Sequence, residues 1–296
     1  MFWSIWRAPS STGGRRRKRR ASPQPECPYL LRKGGGDGLN FNTGSLKKIG
    51  IGSIPILLFF IFWEVGARII PEGVISPSSD AVAAIYKSAV SGVLWEQTLI
   101  SLYRVLLGFG LSLVVGIPLG FLLGTFFGTV EKALLPFLRT CEKLNPFAII
   151  PIFMIFFGIG TAEKVVVIFW SALWPVLFNT MAGAKDVDFS LLRAARSMGA
   201  TRRELFTKVI LPYTTPNIFI GIEFAAQLSF FMIIASEVIG ASTGLGWYYI
   251  NSTARYDLPL MYGIVLFITV LGIIINRLFA RLKKHFLVWK EATQLH

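Results

Sequence analysis

The chain has 296 residues, 53% of them hydrophobic and 16% charged, with a mean hydropathy of +0.59. That is too apolar for an ordinary soluble domain of this length, so a membrane protein is expected. The net charge of +14 would suggest nucleic acid in a soluble protein. Here the basic residues gather in an N-terminal tail, one interior loop and the C-terminus, a distribution that the positive-inside bias explains with no nucleic acid.

Residues 1–45 differ from the rest. The run Arg15 to Arg20, Pro23, Pro25, Pro28 and Gly34 to Gly36 has no apolar period, which predicts a disordered basic cytoplasmic tail. Residues 46–296 form the membrane domain. Cys27 and Cys141 are far apart and imply no disulfide framework, and His285 and His296 read as no metal site.

The first predicted span covers 49–70, with Lys47 and Lys48 at its cytoplasmic end and a Glu64–Arg68 pair near the other. Residues 71–98 are mixed in polarity and belong outside, with a surface helix after Ser79 or Asp80. Along the second span, 99–126, and just past its end, Gly108, Ser112, Gly116, Gly120, Gly124 and Gly128 recur at every fourth place. Such a small-residue stripe lets another helix approach closely. Arg104 continues it and reads best as reaching the interface or pairing with an acid.

An amphipathic piece, 133–144, precedes the third span, 145–160. Pro146 and Pro151 interrupt that span and place it inside the bundle, where neighbours can satisfy freed carbonyls. The fourth span, 165–184, puts Trp170 and Trp174 on one face. Packing is their commoner use, and a platform for a ring-shaped solute the rarer one. In the fifth span, 213–239, Glu223, Gln227 and Glu237 fall within an arc of about 80°. Charges at membrane depth face a bundle interior or a wet cavity, so these residues are expected to line a solute pathway with the tryptophans. The sixth span, 258–276, ends in Arg277, Arg281, Lys283 and Lys284. The expectation is an all-α membrane protein of six transmembrane helices with both termini cytoplasmic.

Residues 185–212 are the most polar interior segment. Asp188 or Ser190 can cap a first helix, Gly199 interrupts it, and Thr201 with Glu204 forms a T-x-x-E capping box for a second helix that Pro212 closes. Two short helices about a glycine bend make a projection suited to a soluble partner.

Here Arg193-Ala194-Ala195, then Gly199, then Val209, Leu211 and Pro212 resemble the EAA loop (E-A-A-x3-G-x9-I-x-L-P) of ABC importer permeases. The run 101–284 is similar to the subfamily importing nitrate, sulfonates, taurine and bicarbonate, through Arg104-Val105-Leu106, Gly116-Ile117-Pro118-Leu119-Gly120, Phe157-Gly158-Ile159-Gly160 and the 239–246 stretch. Arg193 departs from the pattern, standing where the family has glutamate.

The resemblance implies a MetI-like bundle in the bacterial inner membrane. It implies ATPase coupling through Arg193, Ala194, Ala195, Gly199, Val209, Leu211 and Pro212, and an outer gate loop at 240–246. The implied partners are ABC ATPase subunits, a second permease copy, identical or not, a periplasmic or lipid-anchored solute-binding protein, and lipid. No G-x-x-x-x-G-K-[ST] occurs, so ATP and magnesium belong to the ATPase and this chain needs no cofactor. A secondary transporter with Glu223 as its ion site would leave the two-helix loop unexplained. A membrane enzyme would need a cluster of catalytic side chains that the sequence does not offer. Glu223 near the bilayer midplane disfavours an anion unless it is protonated or paired, with Arg104 one possible partner, so a neutral or cationic pyrimidine-like solute is the alternative.

Overall fold

The computed structural model describes residues 44–69, 75–126 and 128–286. The tail up to residue 43, with Cys27, and His296 lie outside them. Among the described residues every regular element is a helix: α1 Gly44–Ile69, α2 Ser78–Val90, α3 Val93–Phe121, α4 Gly128–Glu142, α5 Pro146–Phe157, α6 Thr161–Lys185, α7 Phe189–Ser197, α8 Arg202–Glu204, α9 Leu211–Gly240, α10 Leu245–Ala254 and α11 Leu258–Phe286. The chain divides at residue 52, so the first turns of α1 stand in one unit and residues 53–296 in the other.

Helices α3, α6 and α9 form the centre of the larger unit. The small-residue stripe of α3 is where α6 lies. A Cβ at Gly108 would meet Ile168, at Gly116 Val176, at Gly120 Thr180 and at Gly124 Ala184. Both numbers rise together, so α3 and α6 run parallel at backbone contact distance. Lipid tails are as apolar as leucine, so close packing rather than water exclusion drives this pairing. On its other side α6 meets α9 in the opposite sense: Gly183 abuts Asn217, and Gly221 abuts Pro175 and Asn179. Helix α11 runs antiparallel to α9, with Gln227 facing Asn276 and Glu223 facing Lys283.

Because α3 and α6 are parallel, the chain must return between them. Helices α4 and α5 make that return. Leu135, Leu138 and Cys141 of α4 pack beside Trp174, Phe178 and Met181 near the end of α6, and Ile150 and Phe153 of α5 pack beside Val167 near its start. The pair bends by 90° between Glu142 and Pro146. Asn145 causes the break: its side chain caps the Phe147 amide, and Pro146 occupies the first turn, where it lacks no needed donor. The expectation that these prolines bury the span is corrected. Ile150 is fully buried, but Ile155 and Phe156 are 83% and 78% exposed, so α5 buries one face against α6 and leaves the other open.

Four described helical runs are long and apolar enough to cross a membrane: 93–125, 161–185, 202–240 and 258–283; the bent α4–α5 pair, if counted as one span, makes a fifth. A second correction concerns Pro212. It does not close the short helix. After α8 the chain passes through a π-turn, Leu205–Ile210, straight into α9, with the proline in the first turn of α9. The wider π-turn absorbs the missing donor and the helix continues. Helix α3 likewise ends in a π-turn, Leu122–Phe126.

Candidate functional site

The segment between α6 and α9 is built as a rigid elbow. Asp188 caps α7 through the Ser190 amide at 2.8 Å, and that backbone hydrogen bond holds its carboxyl below the ordinary carboxylate range. Gly199 ends the helix at φ +83, with Ala200 N–H donating to Ala195 O and Gly199 N–H to Arg196 O. This is a Schellman ending, which needs a left-handed residue. The capping box follows as its sequence predicts: Thr201 Oγ1 accepts from the Glu204 amide, while Glu204 accepts from the Thr201 amide. Leu192, Phe206 and Val209 pack on Val187, Ile210 and Ile218, which ties the elbow to the bundle.

Of the expected coupling residues, Ala195 is buried beneath the elbow and Arg193 and Ala194 are exposed. The Arg193 guanidinium stacks over Phe189 at 4.7 Å. Phe189, Leu191 and Met198 are exposed apolar side chains, and Arg196, Arg202 and Arg203 of the same segment are exposed as well. Leu211 and Pro212 lie on α9, past the π-turn.

The expected pathway residues do not share one environment. Glu223 accepts from Lys283 Nζ at 2.9 Å, both partly buried. Gln227 Nε2 donates to Asn276 Oδ1 at 2.9 Å. These four make a polar seam between α9 and α11. Glu237 lies 14 residues on, about 21 Å along the helix, in a separate network. It is fully buried, 2.8 Å from Arg104 Nη1 and within 2.9 Å of Ser101 Oγ. Nearby, fully buried Lys164 bridges Glu163 and Gly240 O. Breaking a buried ion pair from one side costs about 3–5 kcal/mol, since the remaining charge stays desolvated. Trp170 and Trp174 meet edge to face at 5.1 Å, and Trp174 stacks on Phe178. Trp174 belongs to the buried cluster on which α4 packs, and Trp170 meets Phe153 of α5 edge to face.

Sequence reasoning missed Lys283, which was counted only as a topological charge. It also missed Gln97 and Ser101. These two share a helical face with Arg104 and Gly108, and a polar group one turn outside a glycine stripe is the signal that could have found them.

Residues 116–287, more than half of the chain, match the family of binding-protein-dependent transport system inner membrane components. The chain belongs to that family. It is an ABC transporter permease, a transport component. An ABC transporter permease protein of Methanocaldococcus jannaschii is 31% identical across 81% of this chain and 91% of its own length. The taurine transport system permease protein TauC of Escherichia coli is 30% identical, over 67% of this permease and 74% of TauC. The formylaminopyrimidine transport permease protein ThiX of Halalkalibacterium halodurans is 27% identical over 79% and 94%. In fold, the permease is similar to an inward-facing conformation of the MetNI methionine ABC transporter. The TM-score is 0.58 at 18% identity, over 66% of this permease and 96% of that chain.

Proposed function

We propose that this permease imports a small anion of the nitrate, sulfonate, taurine or bicarbonate type, handed over by an extracytoplasmic binding protein. The observation that carries the anion reading is the contact between Lys283 and Glu223. A bare carboxylate at that depth would repel an anion by roughly 4 kcal/mol at 4 Å and an effective dielectric of 20. Paired with Lys283, Glu223 presents no net charge, and the objection falls. The relative named for taurine transport, a solute that carries a sulfonate group, supports the same class.

The permease crosses the bacterial inner membrane six times, with both termini in the cytoplasm. The alternating directions of α3, the α4–α5 return, α6, α9 and α11 support this count once α1 is added. The elbow around Gly199 then faces the cytoplasm, where its exposed Phe189, Leu191, Arg193 and Met198 receive an ABC ATPase subunit. A second permease copy and a second ATPase complete the transporter, and ATP with magnesium sits in the ATPases. ATP-driven closure of the ATPase pair pushes the elbow, and the stiff run 202–240 carries the motion into the bundle.

A neutral or cationic heterocycle is the second reading, favoured by the relative named for formylaminopyrimidine transport. The test is co-purification with the ATPase, then ATPase stimulation by binding proteins loaded with taurine, nitrate or an aminopyrimidine. Stimulation by an anion alone supports the first reading, and by the pyrimidine alone the second. No ATPase association overturns both.

A further inference from the structure

The turn joining α9 to α10 is held from several helices at once. Lys164 Nζ donates to Gly240 O at 2.7 Å. Arg104 donates to both Thr243 O and Thr243 Oγ1 at 2.9 Å. The first amides of α10 are satisfied from outside the helix: Gly244 N–H by Gln97 Oε1 at 2.7 Å, Leu245 N–H by Ser101 Oγ at 2.8 Å and Gly246 N–H by Glu237 Oε2 at 3.0 Å. Helix starts leave such donors orphaned, and a buried orphan is costly. The turn also wraps closely round the carboxylate. Gly244 has φ +111, and a Cβ there would stand 2.2 Å from Glu237 Oε1.

Arg104 and Glu237 therefore do more than neutralise each other. Arg104 donates to the carbonyl and the hydroxyl oxygen of Thr243, and Glu237 accepts from the Gly246 amide. All these contacts come from α3, α6 and α9, the three central helices. A turn tied to buried charges on three helices does not swing as a separate flap.

We propose that Arg104 and Glu237 are positioning residues that make the 240–246 turn a fixed lip at the α10 end of the solute pathway. The lip moves only as one body with α3, α6 and α9. The pathway in this statement rests on the importer reading, while the rigidity of the turn does not.

The experiment uses the full permease in lipid nanodiscs, alone and with its ATPase, with Cys27 and Cys141 replaced. Spin labels go on Leu99 and Ser242, both exposed, and the distance between them is measured by double electron–electron resonance. The expected distribution is narrow and unchanged between the nucleotide-free and the ATP–vanadate-trapped complex. Gln97→Met removes one contact at little cost in volume, and Arg104→Gln with Glu237→Gln removes both charges together. Each should broaden the distribution about twofold or more.

The neutral double variant separates positioning from bulk stability. It leaves no lone buried charge, so it should keep its thermal stability and ATPase binding while losing turn order. A distance that shifts on ATP trapping in the unsubstituted protein overturns the fixed lip. A double variant as ordered as the parent removes the positioning role. Loss of ATPase association, with the distance still narrow in the permease alone, would sink the importer reading and leave the clamp standing.

Discussion

Lys283 Nζ lies 2.9 Å from Glu223 Oε2, joining the basic end of α11 to the middle of α9. The pair is partly exposed, at 37% and 24%, so its net worth to stability is about 1 kcal/mol or less. Its consequence is local charge. Glu223→Gln leaves Lys283 unpaired beside the seam and should change transport rate or solute preference while ATPase assembly stays intact. Lys283→Met leaves Glu223 unpaired and should shift preference away from anions. Uptake of taurine and nitrate by the purified complex checks both. Unchanged uptake by Glu223→Gln across about pH 5 to 9 would make the pair structural.

Gly199 supports a prediction about coupling. Its φ of +83 is costly for a side chain by roughly 1–2 kcal/mol, although a Cβ there would meet nothing within 4 Å. The penalty is conformational, so residues that tolerate the left-handed region should be accepted. Gly199→Asn should retain ATP-driven uptake and Gly199→Leu should lose it or fail to hold the ATPase. Equal uptake by the two would remove the bend from the mechanism.

The α3–α6 contact can be tested within one helix. At Gly120 a Cβ would fall 2.7 Å from the Thr180 Cβ and 2.9 Å from Leu177 O, whereas at Gly110 nothing lies within 4 Å. Gly120→Val should destabilise by about 1–3 kcal/mol or more through overpacking. Gly110→Ala should be neutral. Thermal unfolding of the two in detergent gives the comparison, and matching midpoints would refute the close approach.

The proposed six-crossing topology can be tested by labelling. In a background without Cys27 and Cys141, cysteine at Ser242 should react with an impermeant reagent from the periplasmic side. Cysteine at Arg202 should react only after the inner face is opened. Both positions are exposed. Labelling of both from one side would break the six-crossing count.

Much of this protein is local in origin and was legible in the chain. The capping box of Thr201 and Glu204 and the glycine ending at Gly199 depend on residues within a few positions of each other, so neighbouring side chains and φ preferences decide them. The spacing of Gly108, Gly116, Gly120 and Gly124 is set by the helical repeat, so the sequence alone announced a close helix contact. Which helix fills it was a tertiary decision: α6 offers Thr180, Ala184 and Val176 at the matching fourfold interval. The same limit governed the charges. Glu223 and Glu237 share an arc of α9, and periodicity treats them alike. They are about 21 Å apart along the helix, and their partners lie 60 and 133 positions away in Lys283 and Arg104. Only the packing of α3 and α11 against α9 could assign each carboxylate its cation. Helical period reports which side a residue faces, and a partner brought in by the fold decides whether that side carries a charge.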